Sequence, residues 1–123
     1  VKHEESNEQI TVVSWFRAQY PKKWRHLQAS INGKAFSGAK LQPMVKAVFA
    51  KKEGMVEGAS DLFLAIPRHG FHGLYIEMKT LSKTSKASKE QLDFGDDMIY
   101  EGYLFVVCKG AEAAITAIKS YLE

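Results

Sequence analysis

Asp61, Glu77 and Lys79 are the residues of this chain whose types and spacing point most directly to chemistry. Successive side chains of a strand alternate between faces. In Leu74-Tyr75-Ile76-Glu77-Met78-Lys79, therefore, Leu74, Ile76 and Met78 share one face and Tyr75, Glu77 and Lys79 the other. A carboxylate and an amine then project side by side. Asp61 opens the apolar run Leu62-Phe63-Leu64-Ala65-Ile66, and Pro67-Arg68-His69-Gly70-Phe71-His72-Gly73 is turn-rich enough to fold the next run back along it. A second carboxylate is thereby brought beside Glu77. Two carboxylates held together repel, and a hard divalent cation such as magnesium removes the repulsion while keeping several waters. The adjacent lysine is placed to orient or polarise such a water. Singly, a Glu-x-Lys on a strand is ordinarily a solvated face and an aspartate before an apolar run a cap or turn residue. The chemical reading rests on their conjunction with matching segments elsewhere.

The elements that must position these groups form a mixed series. Ile10, Val13, Phe16 and Tyr20 recur at helical spacing from about Glu4 to Gln19, and Pro21 closes that helix. Leu27 to Asn32 reads as a short strand entering the turn signal Asn32-Gly33. A second helix is expected from Gly38 to Glu53, with Leu41, Met44, Val45 and Val48 on one side and Gly54 as its stop. After the two site strands, Ser88 to Gln91 has the serine-x-x-glutamine form of a capping box for a helix to about Glu101. Its apolar side is Leu92, Gly95, Met98 and Ile99. Tyr103 to Cys108 reads as a strand buried on both faces, and Gly110 precedes a last helix with Ile115, Ile118 and Leu122 in a stripe. This order implies an α/β fold, a mixed β-sheet flanked by helices.

Length and composition bound the possibilities. The 123 residues are expected to form a single domain over 1–123, without a membrane span. The polar start Val1-Lys2-His3-Glu4-Glu5-Ser6 does not resemble a secretory signal, and the single Cys108 permits no internal disulfide and no cysteine-based zinc spacing. Cytoplasmic residence is the expectation. His69 and His72 in the Gly-rich connection read as surface residues rather than ligands.

The net charge of +3 hides an uneven distribution. No acidic residue occurs from Gln9 to Lys52, while Arg17, Lys22, Lys23, Arg25, Lys34, Lys40, Lys46, Lys51 and Lys52 are basic. A second basic stretch carries Lys79, Lys83, Lys86 and Lys89. Segregated positive charge suits a polyanion, because each neutralised phosphate releases condensed counterions. Lys83, Lys86, Lys89, Lys34 and Lys40 are the candidate nucleic-acid contacts.

With these pieces in order, the chain resembles the virus-type replication-repair nuclease (VRR-NUC) family of the PD-(D/E)XK nuclease superfamily, in its standalone phage or bacterial form. The resemblance runs through Glu8-Gln9, Asn32-Gly33, Gly54, Gly58-Ala59-Ser60-Asp61, Gly73 to Lys79, Ser88-Lys89-Glu90-Gln91 and Gly102-Tyr103. One departure is Ser60, where such families often have proline.

The resemblance implies a restriction-endonuclease-like core. It implies a magnesium or manganese site in which Asp61, Glu77 and the Met78 backbone carbonyl supply ligands and Glu8 reaches in from the first helix. Lys79 would position the attacking water, and Gln91 would support the lysine or the substrate phosphate. The activity implied is metal-dependent hydrolysis of phosphodiester bonds in branched DNA such as four-way (Holliday) junctions, by a homodimer acting in recombination and repair in a bacterial or phage-infected cell. No small-molecule cofactor beyond the metal is expected. Trp15, Trp24 and Tyr20 are aromatic candidates for a dimer face. The alternative is a non-catalytic or partner-dependent DNA-binding module of a replication or repair complex.

Overall fold

The computed structural model describes residues 4–30 and 43–123. Lys34, Lys40, the Asn32-Gly33 turn and the expected beginning of the second helix lie outside them. The described elements are helix α1 (Glu4–Gln19), a short 3-10 helix (Pro21–His26), β1 (Leu27–Ala29), α2 (Pro43–Lys52), β2 (Leu62–Leu64), β3 (Leu74–Lys79), α3 (Lys89–Tyr100), β4 (Leu104–Lys109) and α4 (Ala111–Leu122). The strands form one mixed sheet in the order β1-β2-β3-β4, antiparallel except for the parallel β3–β4 pair. Among the described residues no helix is long and apolar enough to cross a membrane.

Alternation along the strands gives the sheet two unlike faces. In the β2–β3 register Leu62 lies opposite Ile76 and Leu64 opposite Leu74, so these leucines and isoleucine share a face with Met78. All five are buried and join Val12 and Phe16 of α1 and Ala114, Ile118 and Tyr121 of α4 in the core. The Tyr121 hydroxyl donates to the Ile66 carbonyl at 2.6 Å, tying the end of α4 to the chain just after β2. The other face carries aromatic rings: Tyr75 stacks on Phe63 at 4.4 Å between centroids and meets Phe94 of α3 edge-on at 5.3 Å. Gly95 lets α3 approach there, because a Cβ at this position would come within 2.5 Å of the Phe105 ring.

Two expectations change. Of the predicted α1 face, Phe16 is buried and Val13 and Tyr20 pack against the core, whereas Ile10 is 61 % exposed and Val12 joins Phe16 in the core instead. Strand β4, expected to be buried on both faces, has α4 and α3 against them but lies at the edge of the described sheet, so its burial is incomplete. Its side chains are mostly half-buried between α4 and α3, and Val107 is exposed. Its apolar run reflects helix cover above and below, while no strand closes its outer edge among the described residues.

Candidate active site

The hairpin register brings the two sequence-distant acids together. Leu62 pairs with Ile76, so the position before β2, Asp61, falls beside Glu77. The Met78 amide donates to Asp61 Oδ2 at 2.7 Å, a buried bond that fixes the carboxylate against β3. The Ser30 amide donates to the Asp61 carbonyl at 2.9 Å, anchoring the same residue to the end of β1. Just before it, Gly58 adopts φ +84° where a Cβ would collide with the Glu90 carbonyl, so the chain leading to Asp61 runs hard against the first turn of α3. Ser60, in the place where proline was expected, is buried with its hydroxyl unpaired.

Glu77 is fully buried, and neither of its carboxylate oxygens receives a hydrogen bond. Burial first, and then the Asp61 charge, push its pKa from 4.5 up to about 8, against the downward pull of Lys79. The Lys79 ammonium lies 3.4 Å from Glu77 Oε2, and that side chain is only 11 % exposed. One ammonium does not offset the burial and the Asp61 charge, so the anion is disfavoured until further positive charge reaches it.

A third acid completes the group. One carboxylate oxygen from each of Glu5, Asp61 and Glu77 lies within 4.8 Å of the others. Three hard oxygen donors, one from each of Glu5, Asp61 and Glu77, fit a divalent cation of the magnesium or manganese type. Glu8, the residue read from sequence as the helix-borne ligand, is not in this group. Its Oε2 accepts the Ala111 amide at 2.7 Å and caps α4, whose N-cap Gly110 has no side chain to do so. The Gly110 amide in turn donates to the Lys79 carbonyl at 2.8 Å, so one short turn ties α1, β3 and α4 together. Spacing does not separate the two acids: Glu5 stands seven and eleven residues before Val12 and Phe16 and Glu8 four and eight before them, so both lie on that helical stripe.

The remaining candidates are dispersed. Gln91 forms the expected capping box, its Oε1 accepting the Ser88 amide at 2.8 Å and its own amide donating to Ser88 Oγ at 3.2 Å. Lys83, Lys86 and Lys89 are exposed on or beside the loop after β3, with Lys89 paired to Asp93 at 2.7 Å. In the β3–β4 register Lys109 stands next to Lys79, adding positive charge at the same sheet end, and its ammonium donates to the Ser82 carbonyl. His69 and His72 are exposed and pack against Tyr121 and Tyr103, away from the carboxylates. Burial pushes the Cys108 thiol up to about 11, which leaves it an inert core residue.

No family model matches the sequence, and no curated protein matches it. Among solved structures, the chain is similar to a protein described as a VRR_NUC domain protein, with a TM-score of 0.80 and 28 % identity over 97 % of this chain and 88 % of that one.

Proposed function

We propose, from its likeness to a VRR_NUC domain protein, that this chain is a nuclease of the VRR-NUC type, a magnesium- or manganese-dependent deoxyribonuclease that cuts branched DNA, four-way junctions among them, as a homodimer. The observation that carries the reading is Glu77. A fully buried carboxylate that faces two further acids and the Lys79 ammonium is better accounted for as a cation ligand than as a packing residue.

Glu5, Asp61 and Glu77 would hold the ion, with the Met78 carbonyl as a further donor. When bound, the ion lowers the pKa of the attacking water and offsets the charge of the phosphate. The Met78 amide keeps Asp61 turned toward the site. Lys79, held against Glu77, positions the water and stabilises the charge that develops on the phosphate oxygens. Gln91 keeps its carbonyl in the α3 cap, leaving its side-chain NH2 to meet a phosphate. Lys83, Lys86 and Lys89 on the exposed loop side would contact the flanking backbone, together with Lys34 and Lys40. A two-fold pair of such sites suits symmetric cutting of two strands.

The test is cleavage of end-labelled four-way junction, fork, flap and linear duplex by wild type and Glu77→Ala in magnesium, manganese or EDTA. Metal-dependent cutting of the junction that the substitution abolishes is expected. Equal cutting of linear duplex would remove the branched preference, and cutting by Glu77→Ala would overturn the site.

A further inference from the structure

A second concentration of positive charge lies at the opposite end of α1 from Glu5. Arg17, in the last turn of α1, and Lys22, Lys23 and Arg25, in the 3-10 helix, are all exposed. Pro21 follows the end of α1 and opens the 3-10 helix that carries Trp24, which is 43 % exposed and is flanked by Arg17 and Arg25. The guanidinium carbon of Arg25 lies 4.8 Å from the Trp24 ring centroid and that of Arg17 lies 5.4 Å from it. Among the described residues no carboxylate is within ion-pair distance of any of these four cations.

Two like charges gathered on one indole repel each other, and they stay because each is attracted to the ring. The arrangement fixes two forked donors that would otherwise sample many rotamers, and it leaves their charge unneutralised. A group that relieves the repulsion must be anionic and must accept hydrogen bonds from planar forks, which describes a phosphodiester. The ring is already engaged by guanidinium groups, so the surface offers fixed donors rather than the open aromatic platform on which single-stranded bases stack.

We propose that the Arg17–Trp24–Arg25 stack, with Lys22 and Lys23, is a second contact surface for the backbone of duplex DNA, separate from the carboxylate site. The proposal rests on the nuclease reading for its ligand. The helical rise over the twelve residues from Glu5 to Arg17 is about 18 Å. Along a DNA strand that is roughly five base pairs. A duplex lying along α1 would thus meet this surface about half a helical turn from the bond being cut.

Binding of a fluorescent duplex and of a four-way junction, measured by anisotropy in EDTA across a salt series, tests this. Arg17→Ala/Arg25→Ala is expected to weaken binding roughly tenfold or more at low salt and to lower the slope of log K against log salt by about 1.8, the value for two lost phosphate contacts. Trp24→Ala is expected to weaken binding although it removes no charge, and Trp24→Phe to restore it in part. Lys51→Ala/Lys52→Ala, which removes the same charge from the end of α2, is the control. An unchanged slope and affinity in the double arginine variant would overturn the proposal. An equal loss in the lysine control would also overturn it, because a diffuse field would then suffice. If wild type cuts DNA and the arginine variant binds as wild type does, only this inference fails. If wild type binds no DNA at all, the nuclease reading fails with it.

Discussion

Replacing Glu77 by glutamine should stabilise the ion-free protein at high pH while destroying its response to divalent cations. The pKa of Glu77 rises from 4.5 in the unfolded chain to about 8 in the fold, because burial and Asp61 outweigh Lys79. A folded-state pKa above the unfolded one means that the folded protein binds the extra proton. Its contribution to stability is complete below about pH 4.5, declines as pH rises, and is gone above about pH 8. At about 1.4 kcal/mol per pKa unit the full loss approaches 5 kcal/mol, a large part of the stability of a typical small domain. Glu77→Gln removes this titration and keeps the shape. Its carboxamide can donate to Asp61, which a carboxylate cannot do, and that offsets what Lys79 loses.

The assay is urea unfolding followed by the fluorescence of Trp15 and Trp24, in EDTA at about pH 5, 7 and 9, then with added magnesium or manganese. Wild type should lose stability steadily from pH 5 to 9, whereas Glu77→Gln should be nearly flat and the more stable of the two at pH 9. Added divalent ion should rescue wild type more strongly as pH rises, because it competes with the proton on Glu77. It should leave Glu77→Gln nearly unchanged. A wild-type protein whose stability in EDTA does not fall between pH 5 and 9 would refute the reasoning, as would a Glu77→Gln protein weaker than wild type at pH 9.

Glu8→Ala should cost about 0.5–2 kcal/mol through loss of the α4 cap and should also weaken divalent-ion binding, since the first turn of α1 that carries Glu5 is no longer held to Ala111. Glu8→Gln, which retains an acceptor oxygen, should keep most of both, as read by thermal unfolding and calorimetric titration; an ion affinity untouched by Glu8→Ala would refute the link. Lys79→Met should push Glu77 further upward by removing the ammonium at 3.4 Å, so that divalent-ion binding moves to higher pH while cleavage is lost. A calorimetric titration repeated across pH checks the direction of that move. Gly95→Ala should destabilise by about 1–3 kcal/mol through overpacking against Phe105; an unchanged urea midpoint would mean that α3 does not seat on β4 as described.

The parts of this site that are legible in the sequence are those fixed over short distances. Alternation in Leu74 to Lys79 and the turn residues from 67 to 73 suffice to fold β3 onto β2, and the hairpin register then sets Asp61 beside Glu77 without any knowledge of the helices. The capping box of Ser88 and Gln91 is equally local. What escapes is set by packing between distant elements. Apolar spacing places Ile10 in the core stripe of α1, yet the core takes Val12 in its place, and which acid of α1 meets the carboxylates is settled by that docking. Glu5 turns to the carboxylates and Glu8 to the free amides of α4, whose docking through Ala114 and Ile118 fixes where those amides stand. The burial of Glu77 has the same origin. A Glu-x-Lys on a strand reads as solvated until neighbouring elements cover it. Once covered, Glu77 is held toward its protonated form beside Asp61 and Lys79, which makes an ordinary pair of strand residues a place where a divalent cation would compete with the proton.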